Sequence, residues 1–307
     1  MALHRLNSVT IGVPDPGRTG EYYGQFGLRA EDGGWFSTLD GGRQLRVVAA
    51  PTRRLVAMEI AVDDPDDISH MAARLRRLEL PTDAGPDRLS VVEPVSGVRV
   101  DAAVLPRLEQ PAAEPVVYNG PGAPARGTSR APGILRTGPV RPRKLGHVVI
   151  GSVDQPASER FFTAGVGLKV SDVVPGRAAF MRCSSDHHNV LVSRAPVNFL
   201  HHTSWQVDDV DEIGRGATAM LEGHPERHVW GLGRHHIGSN FFWYLRDPAG
   251  NFSEYYSDLD CIVEDALWKP QVWDEAHSLY SWGPPPPPSF ITPEDLAGLM
   301  AGAHSAP

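Results

Sequence analysis

Cysteine is almost absent from this chain. Cys183 and Cys261 are the only two in 307 residues, and no CxxC pair occurs, so neither a disulfide framework nor a cysteine-built zinc site is expected. Positive charge is also short: 29 Lys and Arg stand against 37 Asp and Glu, a net charge of -8. That leaves no electrostatic footprint for nucleic acid and argues against an anionic membrane surface or a polyanionic substrate, so a small neutral or polar partner is expected. No stretch approaches the roughly 20 consecutive apolar residues of a membrane span. The opening "MALHRLNSVT" lacks the charged start and apolar run of a signal peptide, and a reduced, cytoplasmic protein follows as the expectation. What is present is ordinary for a folded chain, 41% hydrophobic and 21% charged, and the length suffices for two domains.

The chain repeats itself, which bears on its fold more than its composition does. Four segments open alike: "LNSVTIGVPDPGRTGEYYGQFGL", "LVAMEIAVDDPDDISHMAARLRRLEL", "LGHVVIGSVDQPASERFFTAGVGL" and "LHHTSWQVDDVDEIGRGATAMLEG". Each reads as an alternating strand, then an acidic cap (Asp15, Asp64, Asp154 or Asp209) that accepts the free N–H groups of a helix's first turn. Alternating segments punctuated by "GG", "PG" or "DPAGN" follow, as in a short antiparallel meander. The fold expected is α+β, with two domains that each pair two βαβββ modules into a cupped, barrel-like mixed sheet. The boundaries expected are an N-terminal domain at 1–105, a Pro- and Gly-rich linker at 106–143, a C-terminal catalytic domain at 144–260, and an aromatic, proline-rich tail at 261–307. In the tail, Pro284 to Pro288 should form a stiff extended segment. Thr292 should cap a last helix, with Pro293 in its first turn and Asp295 reaching back.

Nine of the 13 histidines lie between positions 147 and 236, so chemistry is concentrated in the second pair of repeats. The first pair serves as a control. Aligning the repeats places Ser8 against His147, Ala57 against His202, and Asp101 against Glu254. A histidine kept only for structure has little reason to occur twice at matching strand positions in one half alone. Strict alternation along a strand puts Leu145 with His147, Leu200 with His202, and Phe252 with Glu254 and Tyr256, while His201 faces the other way. If the sheet is cupped, His147, His202 and Glu254 face one cavity. Two imidazoles and a carboxylate are the donor set that holds a divalent first-row metal on one side and leaves the other open, and Zn²⁺ fits the same set. The bland alternative is three unrelated polar residues on strand faces. His224 and His228, in polar "EGHPERHVW", read as solvated surface.

The segments "KLGHVVIGS", "HHNVLV", "LHHTSWQVDDVDEI" and "GLGRHHIGSNFFWYLRDPAGNFSEYYSDLD" resemble the type I extradiol ring-cleavage dioxygenases of the vicinal oxygen chelate superfamily. The resemblance covers the second half of the chain, and the loop "GRH", an aromatic strand with Tyr244, the turn "DPAGN" and Glu254 are its specific part. It implies Fe²⁺, less often Mn²⁺, held by His147, His202 and Glu254. It makes His188, of the pair His187 and His188, the acid/base beside the dioxygen site, and His235 and Tyr244 hydrogen-bonding partners of a bound catecholate. It implies insertion of O2 next to the hydroxylated carbons of a catechol, giving a muconic semialdehyde-type product, and a homo-oligomer. Members that take a carboxylate-bearing catechol often place an arginine five residues before the "GRH" histidine and another near a C-terminal "WG". Here Trp230 and "SLYSWG" stand in those regions, so an apolar or aryl substituent is expected, held by Trp230, Phe242, Tyr280 or Trp282, unless Arg182 or Arg227 enters the pocket. Two other functions fit the scaffold. One is an isomerase, epimerase or glutathione-linked lyase, which usually uses four protein ligands. The other is a resistance-type binding protein, which needs no metal.

Overall fold

The computed structural model describes residues 3–274 and 278–303, and every one of the four repeats folds as a strand, a helix and three strands. The first comprises β1 (Leu3–Val13), α1 (Pro16–Gln25), β2 (Arg29–Glu31), β3 (Trp35–Thr38) and β4 (Gly42–Ala49). The second comprises β5 (Arg54–Val62), α2 (Pro65–Arg77), β6 (Thr82–Ala84), β7 (Arg88–Val92) and β8 (Arg99–Val104). After the short helix α3 (Pro132–Leu135) come β9 (Lys144–Ser152), α4 (Gln155–Arg160), β10 (Lys169–Val174), β11 (Ala178–Arg182) and β12 (Val190–Arg194). The last repeat comprises β13 (Phe199–Gln206), α5 (Val210–Leu221), β14 (His228–Arg234), β15 (Phe241–Arg246) and β16 (Phe252–Ser257).

All four acidic caps act as expected: Asp15, Asp64, Asp154 and Asp209 accept from the backbone N–H of Arg18, Asp67, Ala157 and Glu212. Helix α2 shows the rest of the logic. Asp66 and Asp67 lie in its first turn and Arg74, Arg76 and Arg77 in its last, matching the helix dipole, while Ile68, Met71, Ala72 and Leu75 form its buried stripe.

The first sheet has strand order β2-β3-β4-β1-β5-β8-β7-β6 and the second β14-β15-β16-β13-β9-β12-β11-β10, to which β17 (Gln271–Val272) adds an edge. In both sheets the two repeats meet through their first strands, β1 antiparallel to β5 and β9 antiparallel to β13. Each first strand also lies parallel to the last strand of its own repeat. This is the duplicated mixed sheet expected from the repeats. The sheets share a core, because α1 packs on the back of β16: the rings of Phe26 and Tyr255 stack with centroids 3.9 Å apart, and the Tyr255 hydroxyl donates to the Phe26 carbonyl at 2.6 Å.

The C-terminal tail differs from expectation. Pro287 keeps extended dihedrals (φ -69°, ψ 153°), but Pro288 opens a short helix, α6 (Pro288–Ile291). The last helix, α7 (Leu296–Ala303), begins past Thr292 and Pro293, and Asp295 does not reach back. Its carboxylate is held instead by Arg53. Among the described residues no helix is long and apolar enough to cross a membrane.

Candidate metal centre and its cavity

Two β-bulges aim the histidines. In β13, Leu200 pairs with Ile150 while His202 pairs with Val149, so His201 is an extra residue with no opposite number. Ile150 and Val149 are neighbours on one strand and face opposite ways, so their partners Leu200 and His202 do too. In β9, His147 pairs with Ser204 and Leu145 with Trp205, so Gly146 is the extra residue and His147 and Leu145 part in the same way. The expectation that each histidine shares a face with the leucine two positions before it is therefore corrected. Leu145 and Leu200 join the large apolar core, and His147 and His202 turn to the opposite face. Strand β16 runs without a bulge: Phe252 pairs with His202 and Glu254 with Ser204, and Glu254 shares their face as expected.

The donors meet there. His147 Nε2 lies 3.1 Å from Glu254 Oε2, His202 Nε2 lies 3.5 Å from the same oxygen, and the two Nε2 atoms are 3.3 Å apart. Metal–donor bonds of about 2.1 Å place neighbouring donors about 3.0 Å apart at octahedral angles and about 3.4 Å apart at tetrahedral ones. All three residues are buried, and Glu254 Oε2 has no hydrogen-bond partner. A buried carboxylate oxygen left bare beside two imidazole nitrogens needs a cation, so the donor set fits a divalent transition metal. Burial works against ionised Glu254, yet His147, His235 and Ser204 together outweigh it and hold the carboxyl below its ordinary range. Its second oxygen accepts from Asn240 Nδ2 at 3.1 Å.

The histidine next to His202 fixes the orientation of its ring. His202 Nδ1 and His201 Nδ1 are 2.7 Å apart, and His201 Nε2 is 2.7 Å from the Phe290 carbonyl. A carbonyl only accepts, so His201 carries its proton on Nε2, accepts at Nδ1 from His202, and leaves the His202 Nε2 lone pair for a metal. The sequence missed this partnership, along with Asn240, for which no spacing signal exists.

Above the donors lies a cavity of about 450 Å³. His188, His235 and Tyr244 all line it, brought in by the loop before β12, the loop after β14, and β15. His187 does not; it is buried behind, its ring against Trp268 and its Nδ1 3.1 Å from His188 Nδ1. Burial, reinforced by neighbouring histidines, pushes the pKa of His188 and His202 well below the ordinary value, and burial lowers that of His235. His235 Nδ1 bonds to the Leu279 carbonyl, and its Nε2 lies 2.9 Å from the Tyr244 hydroxyl. Burial and then Glu254 push the Tyr244 phenol well above its usual range.

The walls are mostly apolar, with Val149, Phe180, Leu191, Phe199, Ile237 and Phe290 prominent, and the exposed Arg177 and Arg194 also line the cavity. Trp230, Phe242, Tyr280 and Trp282, expected to hold a substituent, do not line this cavity. Trp230 pairs with Tyr244 one strand further out, stacks on its ring and donates to the Pro284 carbonyl; Phe242 and Tyr280 pack on Trp230. Trp282 packs on Phe241, 46% exposed. Neither of the two arginines named as exceptions enters: Arg182 bonds Ser171 and Asp265, and Arg227 lies over Tyr22. His224 is exposed beside Glu226, as expected, and His228 accepts from the Trp243 indole.

Paired βαβββ sheets with a two-histidine, one-carboxylate centre in the second define a metal-binding protein of the duplicated-module class. The family model for the Glyoxalase/Bleomycin resistance protein/Dioxygenase superfamily matches residues 144–255 of this chain. Metapyrocatechase 2 of Cupriavidus necator is 37% identical over 155 residues, covering 50% of this chain and 48% of that protein. The manganese-dependent 2,3-dihydroxybiphenyl 1,2-dioxygenase of Geobacillus genomosp. 3 is 27% identical over 145 residues, 44% of this chain and 46% of that protein. The chain thus spans about half the length of the curated relatives it matches. The Mn(II)-bound glyoxalase from Novosphingobium aromaticivorans superimposes with a TM-score of 0.74 at 24% identity over 94% of each chain, a likeness of fold alone.

Proposed function

We propose that the chain is a metal-dependent extradiol dioxygenase that opens a catechol beside its hydroxylated carbons, giving a muconic semialdehyde-type product. The observation carrying this reading is the convergence of His147, His202 and Glu254 beneath an apolar cavity that His188, His235 and Tyr244 also line. Three donors on one side leave room opposite for a chelating diol and dioxygen. Among the described residues the group has no fourth His, Cys, Asp or Glu, which disfavours an isomerase or lyase using four protein ligands.

Fe²⁺, with Mn²⁺ as the alternative, would supply a Lewis acid that acidifies the diol and an electron path from ring to oxidant. The side chains do the rest. His188 is neutral and its Nδ1 faces His187, leaving Nε2 to take the diol proton and return it as the O–O bond breaks. His235 and the protonated Tyr244 hydroxyl orient the diol oxygens through hydrogen bonds. Both atoms of O2 enter the product, so no external reductant is required. Phe180, Leu191, Ile237, Phe199 and Phe290 favour an apolar or aryl substituent.

In this reading residues 144–260 carry the chemistry, 1–105 form a companion without metal ligands, 106–143 connect them, and 261–307 supply the Phe290 wall. Two free cysteines suit the cytoplasm, and exposed Val263, Leu267 and Val272 suit burial in a homo-oligomer. The test is anaerobic purification with Fe²⁺, then exposure to catechol, 3-methylcatechol and 2,3-dihydroxybiphenyl in air. A yellow ring-opened product, formed most efficiently from the biaryl, is expected. No cleavage of any of the three by protein holding one iron per chain would overturn the reading.

A further inference from the structure

We propose that Arg53, in the half of the chain without metal ligands, is a positioning residue that holds the metal centre and the wall of its cavity in register. Its side chain is 5% exposed, and its guanidinium forks three ways. Nε and Nη2 donate to the two carboxylate oxygens of Asp295 at 2.7 and 2.8 Å. Nη1 donates to the Leu200 carbonyl at 2.8 Å and to Asn251 Oδ1 at 3.3 Å.

Each partner stands beside a different part of the site. Leu200 immediately precedes the bulged His201, so its carbonyl sets the kink that turns His202 toward Glu254. Asn251 closes the turn into β16, the strand of Glu254. Asp295 follows α6, whose Phe290 lines the cavity and accepts from His201. The guanidinium also lies 5.5 Å from the ring centroid of Phe199, a wall residue. One rigid, planar cation thus fixes two of the three ligand strands and the C-terminal wall, a geometry that an ammonium group cannot reproduce.

The internal repeat shows that tying the halves together does not require arginine. Leu55 and Leu200 match across the two sheets, each pairing with an isoleucine just before a bulge, so Arg53 matches Asn198. Asn198 Nδ2 donates to the Val95 carbonyl at 2.7 Å, in the turn before β8. That is the mirror of Arg53 reaching the turn before β16. A short amide serves where the strands carry no metal ligands, and the five-donor fork stands where they do.

This inference rests on the metal centre and is tested without turnover. Metal-free, full-length wild type and the variants R53Q, R53K and D295A are titrated with Mn²⁺ by calorimetry, and their Tm values are recorded, as are KM and kcat for 2,3-dihydroxybiphenyl. R53Q and R53K are expected to bind Mn²⁺ about tenfold or more weakly, with R53K melting close to wild type. D295A leaves Arg53 on Leu200 and Asn251 and releases the wall, so it should weaken Mn²⁺ binding less than R53K does while raising KM. Wild-type Mn²⁺ affinity in R53K, or equal loss in D295A and R53K, overturns the proposal. If R53Q fails to fold, R53K and D295A carry the test. Wild-type protein that binds Mn²⁺ but cleaves no catechol would remove the dioxygenase reading and leave the comparison of metal affinities intact.

Discussion

The bulge in β13 gives the adjacent histidines 201 and 202 different work. His202 presents Nε2 to the metal site, and His201 accepts from His202 Nδ1 while donating from its own Nε2 to the Phe290 carbonyl. His202→Ala is expected to abolish metal binding, whereas His201→Ala should weaken it about tenfold and retain it; metal titration of the two proteins decides, and equal abolition would contradict the assignment. Asp247 supplies a pH signature away from the donors. Its carboxylate accepts from the backbone N–H of Ala249 and Asn251 and from the Asn251 side chain, yet burial pushes its pKa up to about 6. A carboxyl raised on folding stabilises most below its unfolded pKa of about 4 and loses that contribution as pH rises through 6, on the order of 3 kcal/mol. The difference in unfolding free energy between wild type and Asp247→Asn should therefore fall between about pH 4 and pH 6 and level off above; denaturant melts across that range check it. The metal ligands were legible because the repeat carries its own comparison, Ser8 and Ala57 against His147 and His202. The role of His201 was not, since alternation ignores an inserted residue.

At the scale of elements, the same two bulges occur in both sheets. In the first, Leu6 pairs with Ile60 and Ser8 with Glu59, then Thr10 with Ala57 and Ile11 with Leu55, so Asn7 and Val56 are the extra residues matching Gly146 and His201. The backbone device that aims the ligands is thus present where there are none, and aims Ser8 and Ala57 instead. Gly146 is required by contact: a Cβ there would stand 2.1 Å from the Tyr256 hydroxyl. Gly146→Ala is expected to cost about 1–3 kcal/mol and to weaken metal binding. Gly24→Ala, on the exposed face of α1 with nothing within 4 Å of the new Cβ, should gain about 0.4–1 kcal/mol. Chemical denaturation and metal titration of both variants check the pair. Strands, helices and caps could be read from the sequence because Asp15, Asp64, Asp154 and Asp209 act within one turn. Bulges could not, because the register with a distant strand sets them. The last helix begins late for a similar reason: Asp295 has a distant partner in Arg53.

At the scale of the molecule, the half without ligands is part of the other's structure. Phe26 covers Tyr255 on the back of the glutamate strand, the Tyr22 hydroxyl bonds Ser253, and Arg53 reaches Leu200 and Asn251. The proposed dioxygenase reading rests on the one three-donor group found among the described residues and on the largely apolar cavity above it. The cavity wall was the part least visible in the sequence: Trp230 and Phe242 look like pocket residues on alternating strands, but the tail covers Trp230 and places Phe290 at the cavity. The most direct measurement is mass spectrometry of the product when the iron-loaded protein turns over 2,3-dihydroxybiphenyl under ¹⁸O2. A ring-opened product carrying two labelled oxygen atoms is predicted, and unlabelled or singly labelled product, after control for exchange with water, would contradict the account.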